Sequence, residues 1–583
     1  MKLNLRTLTT LLLVIAALAI RMPAQDHTHY RLIDLGTFGG PQSYLYAPNN
    51  YAALLNNRGK VTGWAETTIP DPFLPNFCYT DDCVVAHAFQ SQNGRLIDLG
   101  ALQDGFSSSS GWISSNGLIA GWSESGQTDP TFFAVPVIHG VVWRNGAITD
   151  LGTLDGGYES AALAVNSRGQ VVGVADNGIP DATALSSDLY GWNTQTRAIL
   201  WQDGAMQDLG TLGGTDAVAL LVNERGQVVG ASYEDSNSSA YCANLGSYNT
   251  TGAFLWDKGK MTNLGSFGGT CTFPQDLNNR GEVVGLSTVT GDQFQHAFLW
   301  KHGGFSELPN SIGGNNSAAL ALNEGGVAAG FASLPGDQQL HAALWKNGAM
   351  TDLGSIDGDL CSNGFSINST GQVVGVSVPT CDFLGATRAF LWENGSIADL
   401  NALIPSGSPL YLAAADTIND RGEIAGVGLD GNLKQHAFLL IPCSRNDDEC
   451  QGAAGYSAFP PTPNTTRPGN GQKGLRRMFR NGSRLSGISS LSTPSARDSL
   501  VPIIADQPPT ETPSEPQPAS DFRFSSVDGS ADDYLKDRIN GFSPSRTDYP
   551  RRCTPRGTEC PPQFPPCCPG LICAPASTRA FCL

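Results

Sequence analysis

Positive charge is scarce in this chain. Lysine and arginine number 35 against 53 aspartates and glutamates, giving a net charge of −18. Nucleic acid and anionic lipid would repel such a chain, so neither is an expected partner. Long apolar runs are scarce too. One stretch, Leu8–Ile20, follows Lys2 and Arg6, has the length of a secretory h-region, and is too short to cross a bilayer comfortably. With Met22-Pro23-Ala24 behind it, residues 1–24 read as a signal peptide, which implies a secreted or periplasmic protein without stable membrane insertion. Charged residues of either sign make up only 15% of the chain. Glycine is abundant, at 68 residues, and that balance suits an all-β protein with many turns.

The glycines are periodic. One unit runs Ser160-Ala-Ala-Leu-Ala-Val-Asn166-Ser-Arg-Gly169-Gln-Val-Val-Gly173, then Arg197-Ala-Ile-Leu-Trp201-Gln-Asp-Gly204-Ala-Met-Gln-Asp208-Leu-Gly210. The Gly that closes Val-Val-Gly recurs at 63, 121, 173, 230, 285, 330, 375 and 426, which makes eight units spaced by 45 to 58 residues. A four-stranded propeller blade needs about that length.

Each unit predicts four strands, a to d. Strands a and b are joined by Asn-x-x-Gly turns, such as Asn223 to Gly226, where Asn bonds its own backbone and Gly takes the left-handed position. Unit two carries Ser114 in place of the Asn. Strand c is of the His296-Ala-Phe-Leu-Trp300 type, apolar on both faces as expected of a sheet held between two others. The last unit stops at Ile441 without a strand d, while Tyr30–Gly36 is a strand d without a unit. The N-terminal strand therefore predicts closure of an eight-bladed β-propeller over residues 30–442, which removes two sheet edges. An open solenoid would need capping repeats instead.

His87-Ala-Phe89, His296-Ala-Phe298 and His436-Ala-Phe438 resemble the HAF family of bacterial extracellular repeat proteins, as do the Asp-Leu-Gly elements at Asp34, Asp98, Asp150, Asp208 and Asp352. The resemblance implies export and a repeat fold but no activity, so no catalytic residue is carried over. Arg197, Gly252 and Arg388 replace the His in three units, and Ser91 replaces the first Trp. The histidines sit on separate blades and could not converge on one ion at ~2 Å, so no metal or other cofactor is expected.

The a–b and c–d turns are short and fall on one face. The long insertions, Ala65–Val85, Ala175–Thr196 and Ser232–Thr251, are b–c loops on the other. Binding residues favour variable loops on a rigid scaffold. Candidate ligand contacts are therefore Phe73, Tyr79, Asp81, Asp82, Tyr190, Trp192, Tyr233, Asp235 and Tyr241. An extracellular glycan or protein is the expected partner. The Gly-Gly pairs at 213–214 and equivalent places precede strands, so they are blade crossings and not phosphate cradles. Acidic pairs such as Asp81/Asp82 and Glu234/Asp235 leave a carbohydrate-active enzyme as the alternative.

Fourteen cysteines in an exported chain read as disulfides. Topology suggests Cys78 with Cys83, Cys242 with Cys271, Cys361 with Cys381, and Cys443 with Cys450. Residues 443–552 are rich in Pro and Ser and read as a disordered linker, with a basic island at Lys473–Arg484. Cys553, Cys560, Cys567, Cys568, Cys573 and Cys582 then give C-x6-C-x6-C-C-x4-C-x8-C, which resembles the inhibitor cystine knot family. The family pattern implies pairs 553–568, 560–573 and 567–582, and loops that block a protease, channel or receptor or bind glycans, so a second alternative makes this module a protease inhibitor or toxin-like effector carried by the propeller. Residues 553–583 could not bury an adequate core without such bonds.

Overall fold

The computed structural model describes residues 27–443, apart from 46–52, 75–77, 81, 93, 130–134, 182, 184–191, 193, 240–241, 243–248 and 382–386, and the backbone of Cys573–Ala576 and Arg579–Cys582. The signal, linker and most of the cysteine-rich module lie outside the described residues. The chain divides into two compact units, Met1–Asp498 and Ser499–Leu583. In the second, Cys573–Ala576 pairs antiparallel with Arg579–Cys582 and sets Cys573 opposite Cys582.

The first unit is all-β. Its one named helical element is a 3-10 turn at Leu400–Ala402. Six four-stranded sheets and one of eight strands follow one another along the chain. The eight-stranded sheet is two four-stranded groups joined by a single parallel bridge, Thr251 to Cys271. Every other pairing between named strands is antiparallel, in the order a-b-c-d.

One unit shows why the repeated residues recur. Ala217–Val222, Val228–Ser238, Asn249–Asp257 and Lys260–Asn263 are its four strands. Strand a is buried throughout, whereas strand d is largely exposed. Strand a slips register by one residue between Ala219 and Leu221, opposite Gly230. A Cβ at Gly230 would strike the Val218 carbonyl and the ring of Phe254. Gly426 is held the same way by the Ala414 carbonyl and Phe438. The bulged strand and the strand-c phenylalanine thus require the glycine together, which ties Val-Val-Gly to Ala-Phe.

The turns form a circuit. In Asn223–Gly226 the Asn223 Oδ1 accepts from the N–H groups of Arg225 and Gln227, each at 3.0 Å. Its Nδ2 donates to the carbonyl of Asn278, the equivalent residue one unit on, at 3.1 Å. The same bond runs from Asn166 to Asn223, Asn278 to Asn323, Asn323 to Asn368 and Asn368 to Asn419, at 2.9–3.3 Å. Asn419 then donates to Asn56, and Asn56 to Ser114. Ser114 has no amide to continue, and Asn116 supplies one, donating to the Ser167 carbonyl at 2.7 Å.

Successive sheets pack face to face: Thr62–Pro70 on Ser108–Ile113, Ile119–Thr128 on Ser160–Val165, Val171–Pro180 on Ala217–Val222. Gln435–Pro442, at the far end, packs on Gly39–Tyr44 and pairs with Tyr30–Asp34. The strand without a unit thus joins the unit without a strand. Upstream of it, Thr28 N–H donates to Glu393 Oε1 at 2.6 Å, and the Cys443 N–H returns to the His29 carbonyl.

The long insertions are less loop-like than their sequence suggests. Their arms continue the b–c hairpins outward, to Pro70 opposite Val84, Pro180 opposite Thr194 and Ser238 opposite Asn249. Paired arms satisfy backbone N–H and C=O groups that a loop would leave to water.

Candidate functional site

The repeated histidines come first, because they are the residues most easily mistaken for ligands. All but His436 pair across their own c–d hairpin with an acid eleven positions on. His87 Nδ1 lies 2.9 Å from Asp98, His139 3.0 Å from Asp150, His296 2.9 Å from Glu307 and His341 3.0 Å from Asp352. Arg197 replaces His and bonds Asp208 at 2.9 Å. Where Gly252 replaces it, the acid is gone as well: the partner position is Asn263, which donates to Glu234 instead. The Asp also caps its own turn, as Asp98 does by accepting from Gly100 N–H at 2.7 Å. The motif is therefore a hairpin clasp. Burial pulls the His87 pKa down, but the bond to and charge of Asp98, with the Phe106 carbonyl and the Glu124 charge, together outweigh it and the net shift is upward. Among the described residues no group of three or more His, Cys, Asp or Glu could hold a metal ion.

The two faces differ in charge and polarity. Between residues 27 and 443 every Lys and Arg lies in or beside an a–b or c–d turn, except Arg31, Arg197, Arg388 and Lys434. The last three are each ion-paired, Arg197 to Asp208, Arg388 to Asp359 and Lys434 to Asp82. The b–c and d–a face carries exposed acids, among them Asp104, Asp155 and Asp357. The same face carries exposed apolar side chains. Of the large hydrophobics exposed among the described residues, Ile69, Leu74, Phe106, Tyr158, Ile179, Leu360 and Leu433 are on b–c or d–a segments, and only Ile97 is on a strand d. Phe73 meets Phe106 edge-on, at 6.3 Å between centroids. A cavity of about 140 Å³ opens in the last unit, lined by Ile404, Leu410, Tyr411, Leu429 and Leu433. Exposed apolar side chains are thus concentrated on the b–c and d–a segments, with Phe73 and Phe106 in contact among them.

Three disulfides fasten this face. Cys78–Cys83 closes a b–c loop on itself, and Cys242–Cys271 and Cys361–Cys381 tie b–c loops to neighbouring strands a. These are the pairs that topology suggested. Cys443 is also disulfide-bonded; Cys450, its expected partner, lies outside the described residues. Loops fixed beforehand lose less freedom on binding.

Buried carboxyls lie under the exposed patch and hold it. Glu124 accepts from the Phe106 N–H at 3.0 Å, and Asp176 from the N–H groups of Tyr158 and Glu159 at 2.7 and 2.9 Å. Asp292 clamps Thr270 and Asp337 clamps Asn315 in the same manner. Glu124 and Asp176 are buried on strand b, whereas Asp292 and Asp337 are half-buried in the b–c turn; each holds the backbone that enters strand a of its own unit. Burial raises Glu124 and Glu66 to about 7, and burial together with Asp129 and Asp176 raises Glu159 to about 9. Glu66, Glu124 and Glu159 are 0%, 1% and 4% exposed, so none touches a ligand at the surface.

The candidate residues divide. Phe73 stays at the surface, half-buried, and Asp82 is exposed, bonding Gln42 and Lys434. Asp235 is half-buried and accepts from Asn237. Trp192 and Tyr233 belong to the core, at 3% and 0% exposure, with the Tyr233 hydroxyl donating to the Thr183 carbonyl. Tyr79 tilts onto Trp122 at 4.7 Å, and burial pushes its hydroxyl pKa up. Trp192 and Tyr233 pack loops down onto the sheets, while Tyr79 is half-buried against the core. Asp81, Tyr190 and Tyr241 lie outside the described residues. Asp82 and Glu234 belong to separate units.

No family model matches the chain, and no curated protein matches it. The resemblance to HAF repeats therefore stands on its motifs alone. Solved structures give distant likenesses. The β-propeller domain of the Trilobed protease from Pyrococcus furiosus aligns at 9% identity and a TM-score of 0.35, over 64% of this chain and 98% of that one. Dipeptidyl peptidase 4 from Porphyromonas gingivalis aligns at 11% identity and 0.36, over 60% and 56%. TolB from Acinetobacter baumannii aligns at 10% and 0.26, over 53% and 60%. At these values the likenesses bear on neither activity nor the number of blades.

Sequence reasoning missed the clasping acids and the exposed apolar set. Ile69 and Ile179 lie near the ends of long b strands, in stretches that the sequence presented as b–c loops. A usable signal was present: an apolar residue at the outer end of a hairpin arm has no neighbouring sheet to cover it.

Proposed function

We propose that this chain is an exported binding protein whose sheets close as an eight-bladed β-propeller and whose b–c/d–a face takes the ligand. Export rests on the signal-like residues 1–24 and is consistent with the disulfides. Closure is supported by the pairing of Tyr30–Asp34 with Gln435–Pro442 and by the asparagine circuit that returns from Asn419 to Asn56. The observation that carries the binding reading is the segregation of surface character. Exposed apolar side chains gather on one face, and unpaired positive charge is withdrawn from it. The cysteine-rich module at residues 553–583 is a second contact on a long tether, which adds avidity when both sites engage one surface.

A panel of polysaccharides, glycans and basic proteins tests this reading. The oxidised full chain is assayed at low salt and at about 0.5 M salt, where exposed charge pairs are screened. Retention without product release is the expected result. Release of sugars or peptides would replace the reading with an enzymatic one.

A further inference from the structure

The acidic, apolar loop face has a complementary segment within its own chain. No Asp or Glu occurs between Glu449 and Asp498. In the middle of that stretch stand Lys473, Arg476, Arg477, Arg480 and Arg484, with Leu475, Met478 and Phe479 among them. The face has the opposite character. Its cations Arg197, Arg388 and Lys434 are each engaged by an acid, while Asp104, Asp155 and Asp357 are exposed on d–a connections and Leu74, Phe106 and Tyr158 are exposed on b–c or d–a segments.

We propose that the segment Lys473–Arg484 docks in cis on the b–c/d–a face, bases against acids and apolar side chains against the exposed patch. This rests on the reading of that face as the binding face and names its resident occupant. Length permits the contact. The last strand ends at Pro442, and the thirty residues from Cys443 to Lys473 reach about 100 Å when extended. The longest strand, Val228–Ser238, has 11 residues and spans roughly 36 Å, so the chain can pass from the turn side around the rim. A tether of this kind holds its segment at about millimolar effective concentration, enough for a modest electrostatic contact. A second copy is a poorer occupant, because two such faces repel each other.

The test uses the full oxidised chain and a variant carrying Lys473→Ser, Arg476→Ser, Arg477→Ser, Arg480→Ser and Arg484→Ser. All five positions are outside the sheets. A labelled peptide of residues 472–486 is titrated into each at low salt. The peptide should bind the variant at least tenfold more tightly than the native chain, whose face is already filled. Adding Leu74→Asp and Phe106→Asp to the variant should abolish binding. Zero-length carbodiimide coupling in the native chain should join Lys473 to carboxylates of the loop face. Equal binding to native chain and variant would overturn the proposal, as would coupling mainly to turn-side acids such as Glu224, Glu324 or Asp420. A polylysine that binds the variant as tightly as the peptide does, and regardless of Leu74→Asp and Phe106→Asp, would also overturn it, since the occupant would then be any polycation. Failure of the peptide on every protein would overturn the docking alone; the binding reading answers to retention on the panel.

Discussion

Asp34 and His436 are 402 residues apart in sequence and 3.0 Å apart in space. Their contact is the clasp that His87 makes with Asp98 and His341 with Asp352, except that here the hairpin turn is missing and the two halves come from opposite ends of the repeat region. The N-terminal strand thus enters its sheet with the same side-chain chemistry as a covalently continuous strand d.

The clasp makes the pairing of Tyr30–Asp34 with Gln435–Pro442 sensitive to pH. The bond to Asp34 raises the His436 pKa more than burial lowers it. A histidine with a raised folded-state pKa adds stability that is complete below its unfolded value of about 6.5 and is lost as pH rises through the folded value. Asp34→Ala should therefore cost more near about pH 5.5 than near about pH 8.5, by about 1 kcal/mol, in paired thermal melts. An identical loss at both pH values would show that the clasp adds nothing to that pairing.

Gly230 should be nearly irreplaceable. Alanine there meets a backbone carbonyl that cannot turn aside, so Gly230→Ala should cost at least the upper end of the about 1–3 kcal/mol typical of overpacking. Gly204, at φ +84° with open space around its Cβ position, is the control. Gly204→Ala should cost about 1 kcal/mol, from backbone strain alone. Urea midpoints of the two variants decide the point.

These residues also show what a single sequence reveals. Eightfold recurrence made the glycines, the Asn turns and the N-terminal strand d legible, because each repeat is an independent sample of one local requirement. Spacing also placed the three described disulfides, since strand order fixes which loops are neighbours. The histidine clasp was hidden, because an eleven-residue separation means nothing until the c–d register is known. The burial of Trp192 and Tyr233 was hidden for a different reason. Loop aromatics look alike in sequence whether they point at solvent or fold down as a lid on the core. Gly252 with Asn263 held a clue that spacing alone did not expose: the repeat that loses its His loses its acid too.

The asparagine circuit predicts a sharp distinction between isosteres. Asn223 is 5% exposed and spends its amide on Asn278 and Gln227. Asn223→Asp keeps the oxygen that caps the turn but removes the donor and sets a carboxylate against a carbonyl. A loss of about 1–3 kcal/mol is expected. Hydrogen exchange should show it in the turns on both sides, at Asn166–Gly169 and Asn278–Gly281. Protection lost only within Asn223–Gly226 would mean that the turns are energetically independent.

Glu159 should set an alkaline limit. Its folded-state pKa of about 9 lies above that of an unfolded glutamate, so its protonated form favours folding. That contribution is complete below about pH 4.3 and declines as pH rises toward 9. Glu159→Gln keeps the shape without the charge and should flatten the fall in melting temperature between about pH 5 and pH 9. An unchanged profile would show that Glu159 ionises freely in the folded chain.

The central claim is that one face binds and the other does not, and face-selective substitution measures it directly. Retention on the glycan and protein panel is compared for three full-length chains at about 0.5 M salt: native, Ile69→Asp with Phe106→Asp, and Arg168→Ser with Arg280→Ser on the opposite face. The expected result is that the Ile69/Phe106 variant loses retention while the Arg168/Arg280 variant keeps it. Loss in the arginine variant, with retention intact in the Ile69/Phe106 variant, would contradict the assignment of the binding face.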